Sequence, residues 1–195
     1  MTHYKKLLTS ALLLGAGIAS QGAGASTISP PFTECPSVGS SPTCAILFEF
    51  APNGAVNTHF DNNIGPYDGV EDTLVGVINN SSVTVNSLSL TGTNIFGFET
   101  DGLSVYTGTS YGSTGYEGPN TSFNVINANS GTILFTGGLA PESTAYFSLE
   151  GSPNSIQKSS GLTATNSVPE PAPLALFALG LPALGLAARR RKAKA

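Results

Sequence analysis

Asp61, Asn62, Asn63, Asp68, Glu71 and Asp72 crowd hard oxygen donors into one stretch that Gly65 and Gly69 break into turns. Calcium takes roughly six to eight such oxygens, so this is where the sequence suggests a cation, with Asp61, Asp68, Glu71 and Asp72 as ligands. The order departs from the EF-hand loop, which leaves a solvated acidic loop as the plainer reading. A second set, Glu99, Asp101 and Glu117, offers paired carboxylates for glycoside hydrolysis, with Tyr106, Tyr111 and Tyr116 close enough in sequence to line a shallow sugar site. Gly108-Thr109-Ser110-Tyr111-Gly112 fits the G-x-S-x-G nucleophile pattern. That pattern needs a helix after the serine and a histidine later in the chain; Gly112, Gly115, Gly118 and Pro119 follow instead, and His59 precedes it. His59 stands near Asp61 but has no second histidine to help it hold a metal, so it reads as a surface or loop residue. No catalytic constellation survives, and the sequence predicts a protein that is not an enzyme.

These residues need a frame, and the composition points to β structure. The chain of 195 residues has 23 Gly, no Trp and no long stretch of helical periodicity. Short β-prone runs recur between turn signals at residues 45–50, 73–78, 82–90, 94–98, 103–106, 122–127, 132–136 and 144–149. Asn79-Asn80-Ser81 reads as a hairpin turn whose asparagines tolerate positive φ. Val83 and Val85 alternate in one phase and Leu88 and Leu90 in the other, so a bulge near Asn86-Ser87 is expected to keep both pairs inward. Such strands in this length predict an all-β body, an antiparallel two-sheet β-sandwich of Ig-like type, over residues 44–151.

Cys35 and Cys44 are the 2 cysteines of the chain, and both lie in a segment that reads as exported. A disulfide is the natural expectation, closing a short loop for roughly 2–3 kcal/mol and pinning the Pro-rich lead-in of residues 26–43 to the first strand. A metal site built on two cysteines lacks further ligands nearby.

Both ends look like processing segments. Lys5 and Lys6, an apolar stretch over 7–19 and Ala23-Gly24-Ala25 make residues 1–25 a secretory signal peptide, with cleavage after Ala25 by signal peptidase following export by the Sec machinery. At the other end, a Ser/Thr/Gly linker (152–167) leads to Val168-Pro169-Glu170-Pro171, an uncharged apolar run over 172–188, and Arg189, Arg190, Arg191 and Lys192 within the basic tail 189–195. The apolar run is at the short end of what spans a hydrocarbon core of roughly 30 Å, and the basic cluster would stay cytoplasmic and stop transfer. Of the 8 Lys and Arg residues only Lys158 lies between these ends, and of the 12 acidic residues only Glu170 lies outside, so the body is left near a net charge of about −10. Such a body repels nucleic acid.

The Val168-Pro169-Glu170-Pro171 motif, the apolar helix behind it and the arginine-rich end resemble, in that order, the PEP-CTERM sorting signal of Gram-negative bacteria, within residues 168–195. The resemblance implies recognition by an exosortase, a membrane-embedded cysteine protease that cuts near the motif. It also implies a transient tether to the inner membrane, then delivery to the cell surface or medium in bacteria that make exopolysaccharide and biofilm. Residues 69–81 and 138–150 resemble the opening and closing strands of repeated extracellular sandwich modules, with Glu142 where those modules have glycine. The expectation is an exported surface or matrix protein that contacts exopolysaccharide. A calcium-dependent carbohydrate-binding module and a small secreted hydrolase are the alternatives.

Overall fold

The computed structural model describes residues 27–159. The expected signal peptide with Ala23 and Ala25, the Val168–Pro171 motif, the apolar run and Arg189 to Lys192 lie outside the described residues. Eight strands, β1 (Ile46–Phe50), β2 (Val56–Phe60), β3 (Thr73–Asn79), β4 (Val85–Thr91), β5 (Thr121–Asn127), β6 (Ser130–Leu139), β7 (Thr144–Leu149) and β8 (Gln157–Lys158), form two four-stranded sheets. Their orders are β2-β1-β3-β7 and β5-β6-β4-β8. Alternate side chains of both sheets meet in one apolar cluster: Ile46, Phe48, Val75, Val77 and Phe147 from the first, and Leu88, Leu90, Ile133 and Phe135 from the second. Among the described residues no helix is long and apolar enough to cross a membrane.

The expected all-antiparallel pairing does not hold throughout. β1 and β3 pair in parallel, with Ile46 opposite Val75 and Phe50 opposite Asn79. Both strands are buried almost throughout because the lead-in segment covers the outer face of their sheet. There Phe32, Val38, Cys35 and Cys44 pack with Leu47, Leu74, Tyr67 and Leu103 in a second apolar cluster. The Cys35–Cys44 disulfide anchors that cover. It lies on Gly76 of β3, where a Cβ atom would come within 2.5 Å of Cys44 Sγ, so the glycine is what lets the sulfurs approach the sheet.

Asn79-Asn80-Ser81 is not a hairpin turn, since β3 and β4 belong to different sheets. Neither asparagine has positive φ. The Asn79 side chain instead pins the crossover. Its Nδ2 donates to Val83 O and Leu139 O, both at 2.8 Å, and its Oδ1 accepts the Ser81 N–H at 3.0 Å and the Ser81 hydroxyl at 2.6 Å. The phase change in β4 occurs where the alternation places it, between Val85 and Ser87. The extra residues are on β6, where Gly137 and Gly138 both take φ near +80°.

Two expected strands are absent. Residues 94–98 form an irregular crossover that buries Ile95 and Phe96, and Leu103–Thr107 is a short helix, α1, closed by Gly108 in the left-handed region. Only Leu103 of that helix is buried, and Tyr106 packs edge-on against the Tyr67 ring at 5.1 Å, so its apolar residues do not form a strand face. β2 was not expected because Asn57, Thr58 and His59 make it polar, as suits an edge. The body also extends past residue 151. A 3-10 turn at Pro153–Ser155, buried Ile156 and β8 pairing with β4 occupy the start of the expected linker.

Asn79→Ala is expected to unfold at lower denaturant, by about 2–4 kcal/mol, because a buried carbonyl, a part-buried one and an amide lose their partners together. Equilibrium urea unfolding measures this, and a change within a few tenths of a kcal/mol contradicts the role given to Asn79.

Candidate functional site

A network of polar side chains lies between β7 and the loops over the outer face of its sheet. Asp68 shapes the first loop: its Oδ1 accepts the N–H groups of Val70, Glu71 and Asp72 at 3.0, 3.1 and 2.9 Å, while Gly69 supplies a φ of +84°. This turn delivers Asp72 to the start of β3 with 1% of its surface exposed. Tyr67 OH stands 2.9 Å from Asp72 Oδ2 and 3.2 Å from Ser148 Oγ. Ser148 Oγ donates to Tyr116 O at 3.3 Å, and Tyr116 OH in turn lies 2.9 Å from Asp101 Oδ1 and donates to Glu150 Oε1. Glu150 Oε1 also accepts the Glu99 N–H at 3.1 Å. Phe98 stacks on the Tyr116 ring at 4.6 Å, and Gly102 leaves the space that the ring occupies.

No cation balances these carboxylates: Lys158, the one Lys or Arg among the described residues, reaches the carbonyl of Val56 instead. Burial therefore pushes Asp72 up to about 8, with the hydrogen bond from Tyr67 opposing and the charges of Glu150, Asp68 and Asp101 adding to the rise. Asp72 Oδ1 is buried and has no partner, which also favours the neutral acid. Burial raises Glu150 as well, against the hydrogen bonds it receives from Tyr116 and Glu99. Tyr67 and Tyr116 are held far above their ordinary range by burial first, with the adjacent carboxylates adding to it, so both remain neutral donors.

The other residues singled out by sequence serve local structure. Asp61 Oδ1 accepts the Asn63 N–H and side-chain amide at 3.0 and 3.1 Å, away from the Asp72 network. Among the described residues no three His, Cys, Asp or Glu side chains group to hold a metal ion, so Asp61, Asp68, Glu71 and Asp72 are not gathered as the calcium reading required. Glu117 accepts the N–H groups of Ser113, Thr114 and Gly115 and the Thr114 hydroxyl, folding the loop that holds Tyr116. Ser110 Oγ donates to Gly112 O in an exposed loop. Tyr106 and Tyr111 are exposed, but Tyr116 is fully buried, so the three tyrosines do not line one surface. His59 Nε2 lies 3.1 Å from Glu49 Oε2 on the opposite side of the sheet order, on edge strand β2. Burial raises Glu49, but the hydrogen bonds from Asn57, Asn80 and His59 outweigh it and hold the carboxyl below its ordinary value.

Sequence reasoning missed Tyr67, Ser148, Glu150, Glu49 and Asn79. One signal was present: Tyr146 and Ser148 alternate with Phe147 and Leu149, which puts two polar-capable groups on the outer face of β7, and Glu150 follows in the same phase just past its end. What faces that row comes from loops distant in sequence, and no local pattern announces it.

Among the described residues these carboxyl groups and tyrosines are engaged with one another and with loop main chain, and a recognisable functional signal lies in the tail. The family model for the PEP-CTERM protein-sorting motif matches residues 167–192. The chain carries a PEP-CTERM sorting motif. That motif implies export, anchoring in a membrane before processing, and processing by an exosortase, itself a membrane protein. Comparison with curated proteins and with solved structures gives no significant match to this chain.

Asp72 gives the body a pH dependence with a definite sign. Its folded value of about 8 stands above its ordinary 3.8, so its contribution is full below pH 3.8 and is lost as pH rises through about 8. Asp72→Asn is expected to remove a slope of up to a few kcal/mol between those limits. Thermal unfolding of both forms across that range measures it, and parallel pH profiles contradict the assignment.

Proposed function

We propose that this chain is an exported, non-enzymatic cell-surface or matrix protein, a β-sandwich body carried to its place by its PEP-CTERM tail. In this reading a signal peptide over residues 1–25 sends the chain through the Sec machinery, the apolar run over 172–188 holds it in the inner membrane, and exosortase processing near Val168–Pro171 releases it to the surface or the biofilm matrix. The observation that carries the reading is the sorting motif at residues 167–192. The interior of the body supports its non-enzymatic part. The carboxylates of Asp68, Asp72, Asp101, Glu117 and Glu150 each accept hydrogen bonds that hold loops in place, and Tyr67 and Tyr116 are spent on them. Hydroxyl and amide side chains on the outer face of the second sheet, such as Ser89 and Thr132, which share a 2.9 Å contact, offer neutral polar surface to exopolysaccharide.

Intact-mass spectrometry of surface and medium fractions tests this in cells with and without exosortase. The expected mature form begins at Ser26 and ends near Val168–Pro171 only when exosortase is present. A chain that keeps its Ala195 terminus in both strains makes the tail a plain anchor and overturns the reading.

A further inference from the structure

β5 is an outer strand of its sheet, and its free edge differs from the rest of the surface. Asn120 O accepts the Thr136 N–H at 2.8 Å, and the register then makes Ser122–Leu134 and Asn124–Thr132 the hydrogen-bonded pairs with β6. The main-chain groups of Phe123 and Val125 therefore point away from β6, and among the described residues nothing takes them. The strand has no proline and no charge, and its one bulge lies near its end, between Val125 and Asn127, so the stretch up to Val125 keeps a regular unprotected edge. Val125 is 42% exposed and Ile126 72% exposed.

The charge distribution says what covers this edge. From Gly118 to Pro141 the chain has no Asp, Glu, Lys, Arg or His, whereas the rest of the body is strongly acidic. Two copies repel one another over most of their surface, and the β5–β6 hairpin is where they meet without opposing carboxylates. A basic partner would instead be drawn to the acidic remainder. We propose that β5 is a homodimer contact, in which the β5 strands of two copies pair antiparallel about a two-fold axis at Asn124.

This register uses each free main-chain group of Phe123 and Val125 once. Phe123 and the partner's Val125 exchange two hydrogen bonds, and the two-fold axis repeats them. Val125, which is 42% exposed, then covers the partner's half-buried Phe123, so the pairing buries an exposed apolar side chain. Other registers either call on the Thr121 N–H, which already donates to Gly118 O at 3.2 Å, or run into the bulge.

Asn124 meets its own copy in a non-hydrogen-bonded pair, with Cβ atoms about 4.5–5.5 Å apart, close enough for two introduced cysteines to join. Cys35 and Cys44 are already paired and do not compete. The test is mild oxidation of the full chain in detergent micelles, carrying Asn124→Cys, with Asn53→Cys on the exposed turn before β2 as the control for association through the tail. The expected result is conversion of the Asn124→Cys monomer to a reducible species of twice its mass, with Asn53→Cys remaining monomeric. Adding Val125→Asp to Asn124→Cys, which places carboxylates in the contact, is expected to abolish the dimer while circular dichroism stays unchanged. A monomeric Asn124→Cys chain, equal cross-linking of Asn53→Cys, or a dimer indifferent to Val125→Asp in a folded chain each overturns the proposal.

Discussion

Negative charge without counter-charge is the constraint under which this body folds. Its carboxylates have one lysine and one histidine among the described residues to offset them, and the lysine is spent on a carbonyl. A buried carboxylate that lacks a cation must take hydrogen bonds from neutral donors or keep its proton. The structure uses both routes. Asp68 and Glu117 gather main-chain N–H groups and so define two loops, and Glu49 draws on Asn57, Asn80 and His59. Asp72 and Glu150, which share their surroundings with other acids, are pushed towards the neutral form and bound by tyrosines.

The two sheets are joined by devices that suit a small body. One apolar cluster lies between them, and Asn79 ties the end of β3 to the crossover and to Leu139 of β6. The lead-in segment adds a second layer over the first sheet, held by the disulfide and seated on Gly76. That cover makes β1 and β3 buried on both faces and allows a parallel pair in a small β body, since parallel strands are favoured where both faces are covered.

Sequence reading succeeded where the information was local. The alternation in β4 located the register shift, and the two cysteines named their own pair. The place of Glu142, read as a substitute for glycine, is a residue at φ +62°. Local patterns misled where tertiary packing decided. Residues 94–98 looked like a strand because Ile95 and Phe96 are apolar, yet they are apolar to plug the core from a crossover. Asn79-Asn80-Ser81 has hairpin chemistry, but its amide is used between sheets. The acidic stretch before β3 looked like a ligand set because spacing alone does not show that Asp68 turns back on its own loop and Asp72 turns inward to Tyr67.

Address and body are thus separate in this chain. The tail holds the sorting motif, and the polar groups of the body maintain its shape. The claim that those carboxylates are structural and partly neutral is tested most directly by the carboxyl-carbon resonances of the folded protein followed by NMR across pH. The account predicts that Asp72 titrates near its shifted value of about 8, with its resonance unmoved through the range where exposed acids ionise. Titration of Asp72 near its ordinary value of 3.8 would contradict it.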